Sequence, residues 1–270
     1  MNSESFNSLE KAISTSRLSS YKSASSYANN ICKIPSNNKE LVTNYVLNAK
    51  LSENFYFLLQ NLEVSLRNAI YDSFKQRFPL RDFFVLNTGD TRTRRNYVTT
   101  LEYHSYACWK MVGTVKHQFN SSRIPLTDGK IISQLNFGFW TTLLEENRYK
   151  AILWRQIFKS VFPNYPHGRI VDNDVIDVSN KINEIRKFRN RIFHFEPIFN
   201  YQNLLDVRND ILDAIGWINT DMLELSKLYD ESEAMLLERK EIKKSLDKLY
   251  SSKRRKTRIK KSIKRKYKNR

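Results

Sequence analysis

Residues 38–78, NKELVTNYVLNAKLSENFYFLLQNLEVSLRNAIYDSFKQRF, decide the fold class. Leu51, Phe55, Leu58, Leu62, Leu66, Ala69 and Ile70 recur there at intervals of three and four, which aligns them in one apolar stripe along a helix. Pro79 lacks the N–H that a further turn needs, so the helix stops before it. Outward from this segment the same spacing returns. Residues 1–36 are rich in Ser and Asn, but Leu9, Ile13, Leu18, Tyr21 and Tyr27 predict one or two short helices ending near Pro35.

Beyond Pro79, residues 80–93 read as a loop and 94–119 as a helix. Thr127-Asp128-Gly129 opens a short helix containing Ile131, Ile132 and Leu135, Asn136-Phe137-Gly138-Phe139-Trp140 leads into Leu143-Leu144, and Ile152-Leu153-Trp154 continues to about Phe158. A helix follows over about 172–194 and another over about 201–227, and the last begins near Glu231. All six prolines fall between periodic segments, six glycines leave few tight turns, and no run has the alternation of a strand. The expectation is an all-α chain. Its parts are N-terminal short helices over 1–36, a helical domain over 37–228, a C-terminal helix over 229–252 and a basic tail over 253–270.

Hydrophobic residues make up 40 % of the 270 and aromatic residues 13 %, enough for a substantial core. Net charge is +18, and it is concentrated. KRRKTRIKKSIKRKYKNR, residues 253–270, holds twelve basic side chains and no acid, leaving 34 basic and 28 acidic residues elsewhere. Lys253, Arg254, Arg255, Lys256, Arg258, Lys260, Lys261, Lys264, Arg265 and Lys266 are therefore candidate RNA-binding residues, attracting phosphates through counterion release. A solvated, disordered solubility tail is the plainer reading, an anionic membrane surface comes well behind RNA as a partner, and the tail either extends the last helix or stays disordered. The N-terminus shows no basic and apolar leader, and no stretch approaches the roughly 18 apolar residues that cross a bilayer, so a cytoplasmic protein without a membrane partner is expected.

Cys32 and Cys108 belong to no metal-ligand spacing, and a reduced chain is the simplest reading. His104, His117 and His167 form no ligand spacing with acids or cysteines, so neither a metal nor another cofactor is expected. Gly129-Lys130 lacks the preceding glycine and strand of a phosphate-binding loop.

The 172–194 helix carries the candidate chemistry. At roughly 100° per residue, Val175, Val178, Ile182, Ile185 and Ile192 form its core stripe. Arg189 lands within that stripe, so its guanidinium must meet a buried partner, a cleft or another subunit. Asn190 and His194 share a neighbouring face. On an ideal helix Arg189 and His194 lie about 140° apart, so either the helix end distorts before Pro197 or a second copy of the motif completes a site.

Arg189-Asn190-Arg191-Ile192-Phe193-His194 resembles the R-x4-6-H motif of HEPN ribonucleases, in which a polar residue follows the arginine. Leu62-Glu63-Val64-Ser65-Leu66-Arg67-Asn68-Ala69-Ile70 and Gly129-Lys130-Ile131-Ile132-Ser133-Gln134-Leu135-Asn136-Phe137-Gly138-Phe139-Trp140 are similar to stretches of the Abi-like (AbiF/AbiD-type) abortive-infection proteins in that superfamily. The three occur in the family's order, and the resemblance covers roughly residues 10–220. It implies a HEPN-like helical bundle, a homodimer that pairs two motif helices, and metal-independent cleavage of single-stranded RNA. It also implies a toxin role in phage defence, restrained by an antitoxin that could itself be RNA.

The residue types suit that chemistry. A 2′-hydroxyl attacks its own phosphodiester once deprotonated, leaving a 2′,3′-cyclic phosphate. Histidine exchanges protons near neutrality, and arginine meets developing phosphate charge with a planar fork. Arg189 and His194 are then the catalytic candidates, and Asn190 orients the phosphate or holds the motif helix. Glu63, Arg67 and Asn68 are candidates for supporting the motif helix.

Plainer readings stand beside each. His194 can cap a helix C-terminus. Arg189 can be a buried ion-pair partner of a carboxylate on the 38–78 helix. Glu63 and Arg67 can be an ordinary i,i+4 pair, and Phe137-Gly138-Phe139-Trp140 reads more readily as core than as a base-stacking platform. The competing reading of the whole chain is a non-catalytic helical RNA-binding protein. A structural helical adaptor is a third.

Overall fold

Helices account for the architecture, and no strand occurs among the described residues of this computed structural model. The structure describes residues 3–22, 35–79, 83–84, 106–122, 125, 127–168, 170–198, 204–231, 241–242 and 244–251. In chain order the helices are α1 Ser3–Ile13, α2 Thr15–Ser19, α3 Asn38–Arg77, α4 Tyr106–Ser121, α5 Asp128–Gln134, α6 Phe137–Glu145 and α7 Asn147–Tyr149. A π-helical turn, Lys150–Trp154, follows, and then α8 Arg155–Val161, α9 Val171–Phe193, α10 Leu204–Ile218 and α11 Thr220–Leu228.

The expected long helix is α3. Leu51, Phe55, Leu58, Leu62, Leu66 and Ile70 of its stripe are all buried. Among the described residues two short helices precede it, as the N-terminal spacing predicts. Ser14 separates them, its side chain accepting from the Arg17 N–H as the N-cap of α2.

Two expectations need correction. The helix expected over about 201–227 is broken at Asn219, whose extended backbone and side chain cap α11 by accepting from the Met222 N–H at 2.7 Å. Gly216 lets the two pieces close up, since a Cβ there would stand 3.0 Å from Leu223. Apolar periodicity continues across such a cap, and so hides it. The run through Ile152 to Phe158 contains a π-helical turn before α8, which periodicity likewise does not register. The loop expected over 80–93, apart from Phe83 and Phe84, lies outside the described residues. So do residues 94–105 of the expected 94–119 helix, the beginning of the last helix, Cys32, His104 and the whole basic tail.

The chain forms two compact units, each assembled from separated stretches. Unit 1 takes residues 1–56, 191–208 and 230–270, and unit 2 takes 57–190 and 209–229. The core of unit 1 includes Phe6, Leu18, Tyr21, Leu47, Leu51, Phe55, Ile192 and Ile198. Within it Lys39 pairs with Asp247, and Arg208 with Asp230.

Unit 2 has the larger, aromatic core. Trp140 stacks on Phe83 at 6.1 Å, Phe83 meets Phe74 edge-on at 4.8 Å, and Trp154 donates its Nε1–H to the Leu143 carbonyl. Val175, Val178, Ile182, Ile185 and Phe188 of α9 are buried there. The start of α9 is fixed by Asp174, whose carboxylate accepts from the Gly168 N–H at 3.0 and 3.1 Å. Asp172, near the same helix start, takes a bidentate grip from Arg155, which holds its carboxyl below the ordinary range. No helix of the described residues is long and apolar enough to cross a membrane.

Candidate functional site

Glu63 of α3 is the point where the three distinctive segments of unit 2 meet. Arg189, near the end of α9, places its guanidinium 3.5 Å from Glu63 Oε2, at the outer limit of a hydrogen bond. Arg67, one turn along α3, adds a second positive charge beside the same carboxylate. The backbone N–H of Phe137 acts on it as well, favouring the charged form. That N–H belongs to the first residue of α6 and has no partner within its own helix, so it favours the charged carboxylate.

Asn136 completes the cap by accepting from the Phe139 N–H at 3.2 Å. Gly138 makes room for that side chain, because a Cβ there would stand 3.0 Å from Asn136 Oδ1. Phe137, Phe139 and Trp140 are buried, so this stretch is core rather than a platform for bases.

Burial pushes the Glu63 carboxyl above the ordinary glutamate range. The charges of Arg189 and Arg67 and the two hydrogen bonds oppose that rise without cancelling it. Glu63 and Arg189 each keep 21 % of their side-chain surface exposed, so both charges retain some water. Asn190 is half-buried and its Oδ1 lies 3.5 Å from the Arg189 guanidinium, while Asn68 is exposed. The carboxylate partner on the 38–78 helix, raised above as the plainer reading of Arg189, is thus present as Glu63. Arg67 acts on Glu63 as a nearby charge rather than as an i,i+4 ion pair.

The other half of the motif falls in unit 1, where the chain leaves α9. His194 is exposed and follows the last helical residue, Phe193. The Phe195 N–H returns to the Ile192 carbonyl at 2.9 Å and the Glu196 N–H to the Arg191 carbonyl at 2.8 Å. This pair of bonds is a Schellman ending, and its left-handed position, φ 57°, is held by Phe195 rather than by glycine.

Side chains from elsewhere in unit 1 fix that turn. Arg17 donates to the carbonyls of His194 at 3.1 Å and Phe195 at 2.6 Å. Asn48 donates to the Glu196 carbonyl at 3.2 Å and accepts from the Ile198 N–H at 2.7 Å. Arg191 donates to the Pro197 carbonyl at 2.9 Å. The distortion expected before Pro197 is therefore a capped and braced turn.

Comparison with protein-family models, characterised proteins and solved structures finds no match to this chain.

Glu63, Arg67, Asn190 and Arg189 come together in unit 2, with Asn68 exposed on the same helix as Glu63. His194 belongs to unit 1, and Lys253 to Lys266 lie outside the described residues. Among the described residues no group of three or more His, Cys, Asp or Glu is placed to hold a metal ion. Cys108 is buried, His117 is exposed and His167 lies 3.6 Å from Asp174. The sequence reading did not single out Arg17, Asn48 or Phe195. Their importance comes from contacts across 140 or more residues of chain, for which local spacing carries no signal. Phe195 stood two residues before Pro197, but only a glycine or asparagine there would have marked the left-handed turn.

Proposed function

We propose that the chain is a metal-independent endoribonuclease of the Abi-like HEPN type, acting on single-stranded RNA as a toxin in phage defence. The observation that carries this reading is the motif at the end of α9. A positively charged Arg189 is held beside Asn190, and an exposed His194 sits on a turn whose backbone is fixed from several sides. The meeting of residues 62–70, 129–140 and 189 at one carboxylate gives further support, because these are the segments that carry the resemblance.

In this reading His194 moves the proton, taking it from the 2′-hydroxyl or returning it to the departing 5′-oxygen. Arg189 offsets the charge of the crowded phosphorane and Asn190 orients the phosphate. A homodimer supplies two copies of each group. The basic tail, 253–270, gathers RNA by counterion release, and the same charge suits an RNA antitoxin. The protein then works in the cytoplasm, with no membrane partner and no cofactor.

The test is incubation of the full chain with single-stranded RNA in EDTA. Cleavage leaving 2′,3′-cyclic phosphate ends is expected, with a 2′-O-methyl strand left intact. No cleavage, or cleavage only with added divalent metal, overturns the reading.

A non-catalytic RNA-binding protein is the second reading, and one observation favours it. The Glu63 ion pair gives Arg189 a structural reason to exist without any reaction.

A further inference from the structure

Unit 1 contains a cavity of about 630 Å³ whose wall includes Arg17, Tyr45, Ser52, Tyr56, Phe193 and Phe195. Sites for small molecules commonly enclose about 300–1,000 Å³. Three of its rings remain open to water: Phe195 is 72 % exposed, Tyr56 49 % and Phe193 40 %. Tyr56 and Phe193 face each other at 5.8 Å with a 37° tilt, forming one aromatic side of the space. The residues on both sides of His194, Phe193 and Phe195, belong to this wall.

Phe195 is the informative member, because neither backbone nor packing explains it. Its left-handed φ of 57° disfavours any side chain and favours glycine. A phenyl ring left mostly in water gains little from burial. Arg17 and Tyr21 nevertheless donate to its carbonyl, at 2.6 and 3.4 Å, and hold the turn in place. Local strain maintained by surrounding structure, with an exposed ring as its result, points to a use for that ring.

We propose that this cavity binds one unstacked nucleobase of single-stranded RNA, with Phe195 as the ring on which the base stacks. Every base has a π-face, so aromatic walls accept it with little regard to sequence. Arg17 and Glu53 bring one charge of each sign to the same wall, and the twelve basic residues of 253–270 draw a polyanion to the chain, leaving the aromatic wall to meet its bases. The base is held beside the residue assigned the proton transfer, so its neighbouring phosphodiester is the one presented to His194. The assignment rests on the proposed RNA-directed function and adds to it the part of the substrate that unit 1 recognises.

The test is fluorescence anisotropy with two probes on the full-length protein. One is a fluorescent 2′-O-methyl oligonucleotide about 12 nucleotides long, within the span that such binding surfaces cover. The other is inorganic polyphosphate of matched charge, used as a competitor. The Phe195→Gly variant relieves the left-handed strain, so its melting temperature equals or exceeds that of the parent. The same variant binds the oligonucleotide about ten-fold more weakly, the size of one lost base–aromatic stack, with unchanged affinity for polyphosphate. Phe195→Tyr keeps the parent affinity.

Equal oligonucleotide binding by parent and Phe195→Gly overturns the proposal. A proportional loss for both probes overturns it too, because the ring then acts only through the fold. The 2′-O-methyl strand lacks the attacking hydroxyl, so this outcome is independent of cleavage. Failure of the nuclease reading appears separately, as RNA left uncut.

Discussion

The two halves of the motif stand in contrasting surroundings. In unit 2, Arg189 belongs to a cluster of charges, with Glu63 between two arginines and the first N–H of α6. In unit 1, the turn bearing His194 is held through its backbone, by Arg17 and Asn48 on its carbonyls and on the Ile198 N–H. The first arrangement commits the side chains to one another. The second commits the main chain and leaves the His194 side chain exposed to solvent. Charge compensation thus sets the arginine, whereas backbone bracing presents the histidine.

The contrast can be broken from either side, and the larger effect belongs to the charge cluster. Glu63→Ala removes the carboxylate on which the two half-buried arginines, Arg67 and Arg189, both act, which costs about 2–3 kcal/mol at neutral pH. Complete burial would cost about 3–5 kcal/mol, and the remaining exposure lowers this. Chemical denaturation measures it.

The Glu63 carboxyl also gives the cluster a pH signature. Its folded pKa is raised by burial, so the native state binds that proton more tightly than the unfolded chain does. The resulting stability is fully present below the ordinary glutamate value and is lost as pH rises through the raised folded value. Glu63→Gln removes that slope, which thermal melts across the acid range detect.

A smaller effect is expected on the other side. Asn48→Ala strips the Glu196 carbonyl and the buried Ile198 N–H of a partner and costs about 2 kcal/mol. Over the acid range it carries no pH slope, since the titrating group that Asn48 touches is the Tyr21 hydroxyl. Denaturation at two pH values separates the variants.

Much of the helical plan was legible in the sequence. The α3 stripe, the proline boundaries and the helix opening at Thr127-Asp128-Gly129 are local signals, and the helices begin and end close to them. The core character of Phe137, Phe139 and Trp140 followed from the same pattern. The break at Asn219 did not, because a cap between two apolar runs leaves their periodicity almost intact.

For the candidate site, the position of Arg189 on the apolar stripe demanded a partner, and α3 was the natural place to look for one. Glu63 as its identity, and the Phe137 N–H as the third member, depend on how segments far apart in sequence pack. The left-handed Phe195 was illegible for a different reason: it contradicts the local preference that a sequence reading relies on.

The central claim is that Arg189 and His194 carry out a reaction, and single-turnover cleavage of labelled single-stranded RNA in EDTA tests it most directly. Parent, Arg189→Ala and His194→Ala proteins are compared, with melting curves to show that each is folded. His194→Ala slows cleavage by at least about 10²-fold, the usual contribution of a positioned proton-transfer group. Arg189→Ala slows it comparably. A folded His194→Ala protein that cleaves at the parent rate contradicts the account.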